Sequence, residues 1–69
     1  MTHESIKRAA ERRPFRPFAI RLADGQSVPI RRENQVGIHP ATKKTVVVFE
    51  QDGSYRIIDI AQITELQVA

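Results

Sequence analysis

The side chains through which this chain could do chemistry are its arginines and lysines, and the chemistry they suit is recognition of an anion. Arg12, Arg13 and Arg16 crowd the segment RRPFRPF, Arg31 and Arg32 are adjacent, and Lys43 and Lys44 form a third basic pair. A guanidinium offers a planar fork of donors that fits a phosphate, and an ammonium adds a compact positive charge. Arg56 follows Tyr55, whose ring could stack on an unpaired base, a contact typically worth about 1–3 kcal/mol. If these groups converge in the fold, they form a phosphate-binding surface whose affinity falls steeply with salt. RNA or DNA is therefore the candidate ligand. The bland alternative is that the basic residues form a solvated face and that Tyr55 pairs across strands with Phe49 or Val47.

The charge is unevenly distributed. The formal net charge is +3. Through Lys44, ten Lys and Arg residues stand against Glu4, Glu11, Asp24 and Glu33. Beyond it, Arg56 alone stands against Glu50, Asp52, Asp59 and Glu65. A basic first part and an acidic second part suit either a polyanionic partner or head-to-tail contact between copies.

Other chemistries find little support. His3 lies near the start and His39 precedes a proline. A catalytic nucleophile needs a base within hydrogen-bond reach and a group to orient it, and Ser5, Ser27 and Ser54 show no such spacing with either histidine. Two histidines and no cysteine make neither a zinc-type ligand set nor a disulfide framework. Gly25, Gly37 and Gly53 stand singly rather than in a phosphate-cradling loop. A non-enzymatic chain is expected, with no catalytic residue, cofactor or metal.

The elements that must position the basic groups follow from length and periodicity. Sixty-nine residues form a single domain, 1–69, whose own core is marginal at this size. Self-association is a common remedy where no disulfide or metal supplies the deficit, so a homo-oligomer is expected. No apolar leader opens the chain, and the longest apolar run is Val46–Phe49, far short of a membrane span of about 20 residues. A soluble, cytoplasmic protein without a small-molecule substrate is expected, the lack of cysteine fitting a reducing compartment.

A helix is predicted over residues 1–13, with Thr2 as N-cap and Ile6, Ala9, Ala10 and Arg13 on one face. Pro14 restricts Arg13 and ends it. Residues 14–17 form a proline-rich joint, with Phe15 and Phe18 directed to the core. From Phe18 the period changes to two. Phe18, Ile20 and Leu22 share one face, Asp24-Gly25 predicts a type I′ hairpin, and Val28 and Ile30 return inward. Pro29 makes the second strand an edge or a bend. A short extended piece around Val36 and Ile38, the strand TVVVFE, a second Asp-Gly turn and the strand YRIID follow. Apolar residues occupy both faces of that last pair, which calls for a central strand, a covering helix or a subunit interface. Val47, Phe49 and Ile58 are the candidate interface residues. Asp59 caps one tight turn, after which Leu66 and Val68 point inward.

The segments RPFRPFAIRLADGQ, IHP and IDIAQITEL resemble a family of short uncharacterised bacterial proteins with the pattern R-P-F-x-P-F-x-I-x-L-x-D-G. That resemblance implies no activity. The order of an N-terminal helix, about five antiparallel strands and a tight turn before the last strand resembles the small SH3-like barrels, and most of all the Sm-like, Hfq-type proteins. This resemblance implies a mainly β fold over 18–69, a small barrel or strongly bent sheet, and RNA binding through an aromatic-basic segment before the final turn. Tyr55 and Arg56 match that segment, and Ile57 stands where the family has histidine. Two functions are thus carried forward: a small nucleic-acid-binding module, or a protein-interaction and self-assembly module.

Overall fold

A computed structural model describes residues 2–68. The N-terminal segment forms helix α1, His3–Glu11. It docks through Ile6, which is wholly buried, and Ala9, which packs against the core. Of the predicted span 1–13, Met1 lies outside the described residues, and the helix begins after Thr2 and ends before Arg12. Thr2 has extended backbone, but its hydroxyl makes no cap bond and lies instead 3.3 Å from that of Ser5. At the other end Arg12 already leaves helical geometry, with ψ of 137°, ahead of the restriction that Pro14 places on Arg13. The Arg13 guanidinium donates back to the carbonyls of Glu11 and Arg12, at 3.1 and 3.2 Å, which satisfies acceptors that a helix end leaves open.

Six strands follow: β1 Phe18–Leu22, β2 Ser27–Ile30, β3 Val36–Ile38, β4 Thr45–Phe49, β5 Tyr55–Asp59 and β6 Ile63–Val68. The short piece around Val36 pairs with β4 and so counts as a strand, one more than expected. The strands form two antiparallel sheets, ordered β2-β1-β6 and β3-β4-β5. They do not close into the barrel that the element order suggested. The reason lies at the corner after β2. Pro29 has no N–H for a ladder. The chain then bends through the 3₁₀ turn Glu33–Gln35, where the Gln35 side chain accepts from Arg31 N–H at 2.9 Å and donates to the Pro29 carbonyl at 3.0 Å. The Gln35 amide thus occupies backbone groups at the corner that a neighbouring strand would otherwise need.

The inner faces of the two sheets supply the core. Phe18, Ile20, Val28, Ile30 and Ile63 from the first sheet pack with Val46, Val48 and Ile58 from the second and Ile6 from α1. Phe15 joins its edge, its ring 6.2 Å from that of Phe18 and tilted by 59°. No buried polar residue interrupts this cluster among the described residues.

Both Asp-Gly hairpins share one construction. Gly25 N–H donates to the Leu22 carbonyl, Leu22 N–H donates to the Gln26 carbonyl, and Gly25 takes φ of 91°. Gly53 repeats the pattern with Glu50 and Ser54, at φ of 92°. Neither aspartate has positive φ, so these are three-residue loops ending in a glycine bulge rather than type I′ turns. Each aspartate carboxylate accepts the backbone N–H two residues on, from Gln26 at 3.0 Å and from Ser54 at 2.9 Å.

The outer faces of the sheets differ in chemistry. On the first, Ala19 and Arg21 lie beside Ser27, Pro29, Glu65 and Gln67, and Arg21 pairs with Glu65 at 3.7 Å. On the second, the strand register sets Val47 opposite Ile57 and Phe49 opposite Tyr55. The first is an ordinary wetted face. The second is an apolar one.

Candidate nucleic-acid interface

The corner after β2 brings Arg31 and Arg32 to the end of β4. Together with Asn34, Gln35, Phe49, Glu50 and Gln51 they line an open cleft of about 440 Å³. A smaller hollow of about 210 Å³ shares Arg31, Gln35, Glu50 and Gln51 and runs on to Pro29. Local sequence explains the placement. Ile30 ends β2 in the core, the Gln35 clamp turns the backbone, and the two arginines between them are left on the outside. Neither guanidinium has an ion-pair or hydrogen-bond partner among the described residues. Phe49 forms the apolar wall, 51% exposed at the outward-facing end of β4. Glu50 is the one acid in the cleft, and it faces Arg56 at 3.7 Å.

The other basic residues lie elsewhere. Arg13 is paired with Glu33 at 2.7 Å as well as folded onto the helix end, so its charge is engaged. Arg12 and Arg16 are exposed on either side of it. Lys43 and Lys44 lie in the loop before β4, at the opposite end of that strand from Phe49, roughly 16 Å away for five residues of strand. That loop is organised by His39, whose Nδ1 accepts from Ala41 N–H at 3.2 Å and Thr42 N–H at 3.3 Å. His39 therefore serves the turn. The lysine pair and the arginine pair are two separate clusters.

Tyr55 and Arg56 line one open hollow but present their side chains on opposite faces of β5. Successive residues of a strand point to opposite faces, so Tyr55 is outward while Arg56 turns to Glu50 and to the Gln26 Oε1, at 3.7 and 3.3 Å. Glu50 and Asp52 line that hollow with them, two acids against one arginine. The Ser54 hydroxyl donates to Asp52 at 2.6 Å, and this bond, with the Ser54 backbone N–H, holds the Asp52 carboxyl below the usual carboxylate range. The hollow is acidic on balance and shares Glu50 and Gln51 with the neighbouring cleft. The positive, ring-bearing cleft is on the Arg31–Arg32 side.

Of the candidate interface residues, Val47 and Phe49 lie on the apolar outer face. Ile58 does not. It is 5% exposed and belongs to the core, opposite Val46. Ile57, 64% exposed, takes the outward position. Sequence alone places Phe49 at an interface between copies, not beside arginines. The alternation through TVVVF puts it outward, but only the corner after β2 shows what it adjoins.

Among the described residues, no three His, Asp or Glu side chains come together in a metal-binding arrangement, and no helix is long and apolar enough to cross a membrane. Compared with protein-family models, curated proteins and solved structures, the chain matches none.

Proposed function

We propose that the protein is a small non-enzymatic binding module for single-stranded nucleic acid, with the cleft of Arg31, Arg32 and Phe49 as its contact surface. One observation carries this: two arginines without ion-pair partners open into the same cleft as a half-exposed phenylalanine. A single strand offers both complements, since its phosphates meet the guanidinium forks and an unstacked base can lie on the ring. A duplex keeps its bases stacked and gives Phe49 nothing to cover.

Fluorescence anisotropy of a short labelled oligonucleotide tests it. Binding should weaken strongly between about 50 and 200 mM salt, as counterion release requires. The double substitution Arg31→Ala, Arg32→Ala should lower the slope of log K against log salt by about 1.4, at roughly 0.7 per single-strand phosphate contact. Phe49→Ala should weaken binding at every salt concentration and leave the slope unchanged. Failure of the wild-type protein to bind at low salt rejects the proposal.

A second reading, a protein-interaction or self-assembly module, is favoured by the outer face of β4 and β5, where Val47, Phe49, Tyr55 and Ile57 adjoin one another. Soluble chains seldom leave such a patch uncovered. Light scattering decides whether copies of the chain associate.

A further inference from the structure

Each sheet has two edge strands, and three of the four edges are blunted. β2 contains Pro29, β3 is only three residues long, and β6 shifts register against β1 between Arg21 and Leu22. Proline, shortness and irregular register are the devices that keep an edge from pairing with another chain. β5 has none of them. Its five residues, YRIID, contain no proline, glycine or lysine and pair one for one with β4.

The ladder also fixes which groups are free. Glu50 N–H bonds the Ser54 carbonyl and Ile60 N–H bonds the Lys44 carbonyl, one at each end of the β4–β5 pair. Antiparallel alternation then gives the shared hydrogen bonds to Val48–Arg56 and Val46–Ile58. The N–H and C=O groups of Tyr55 and Ile57, and the N–H of Asp59, are therefore directed away from β4 along the open edge.

We propose that β5 pairs with β5 of a second copy, antiparallel about a two-fold axis through Ile57. This rests on the assembly reading and not on the nucleic-acid one. In that register Ile57 meets Ile57 of the second copy and exchanges both backbone bonds with it, while Tyr55 faces Asp59. Arg56 faces Ile58, its charge already engaged by Glu50 of its own chain. No like charges stand opposite each other, and the exposed Ile57 side chains form an apolar cross-strand pair. An isologous contact of this kind closes at two copies. The two apolar outer faces become one, and both Arg31–Arg32 clefts stay open.

The chain has no cysteine, which makes the register directly readable. Opposed residues in antiparallel strands have Cα atoms about 4.5–5.5 Å apart, within disulfide range. Light scattering of the wild-type protein should give twice the 7.9 kDa chain mass. Mild oxidation should link Ile57→Cys into a covalent dimer. Tyr55→Cys should not link unless Asp59→Cys is added. Ile57→Lys should be monomeric with an unchanged circular dichroism spectrum, since the side chain takes no part in the core. A monomeric wild-type protein at high concentration overturns both the pairing and the assembly reading. A discrete oligomer in which Ile57→Cys fails to link overturns the β5 pairing alone.

Discussion

Phe18 and Phe49 are the same residue type put to opposite uses by strand parity. Phe18 starts β1 on its inner face and is buried, so Phe18→Ala should cost about 3–5 kcal/mol, a large part of the stability of so small a domain. Thermal or urea denaturation followed by circular dichroism measures this. A midpoint near that of wild type would contradict the core assignment. Phe49→Ala removes an exposed ring and should leave the same melt nearly unmoved. Among the described residues, Asp52 carries the one pKa shift with a clear cause. Its carboxyl titrates below the ordinary 3.8 because Ser54 donates to it through hydroxyl and backbone N–H. A depressed folded pKa contributes stability that is present above the unfolded value and lost as pH falls through the folded one. Ser54→Ala should therefore raise the Asp52 pKa toward its ordinary value, read by NMR titration of the side-chain carboxyl, and lessen the loss of stability on acidification.

At the scale of elements, the two Asp-Gly loops and the corner after β2 set the arrangement. Gly25 and Gly53 stand at positive φ with open space around them, so a methyl group there meets backbone strain and no clash. Gly53→Ala should destabilise by about 1–2 kcal/mol. Gly37, at ordinary φ in β3 and also in open space, gives the contrast. Gly37→Ala should be neutral or stabilising by about 0.5 kcal/mol, since it only narrows the unfolded ensemble. The denaturation midpoint of Gly53→Ala should fall, while that of Gly37→Ala should hold or rise. The strands, the capping of the last turn by Asp59 and most of the inward set of side chains are legible in the sequence, because period-two alternation and Asp-Gly punctuation are local signals. Val68, expected inward, is instead 50% exposed at the end of β6. Barrel closure was not legible. It depends on the Gln35 side chain taking the backbone bonds at the corner, a contact that spacing does not announce. The loop type was also missed, because Asp-Gly serves both two-residue and three-residue hairpins. The helix was overextended for a similar reason. Pro14 restricts Arg13 only, whereas the chain turned out of the helix at Arg12.

At the scale of the whole molecule, charge counted along the chain overstated how far the basic residues gather. Arg13 is neutralised by Glu33 and Arg56 by Glu50, while Lys43 and Lys44 lie at the far end of β4. What remains concentrated is Arg31 and Arg32 beside Phe49, the surface proposed to bind a single strand of nucleic acid. The apolar outer face shares Phe49 with the cleft, whereas the open β5 edge is a separate property. The most direct measurement is a map of backbone amide shifts in the 15N-labelled protein as a short single-stranded oligonucleotide is added at low salt. The predicted result is that perturbations concentrate at Arg31, Arg32, Asn34 and Gln35 and at Phe49 to Gln51. Perturbations centred on Lys43 and Lys44, or none at all, would contradict it.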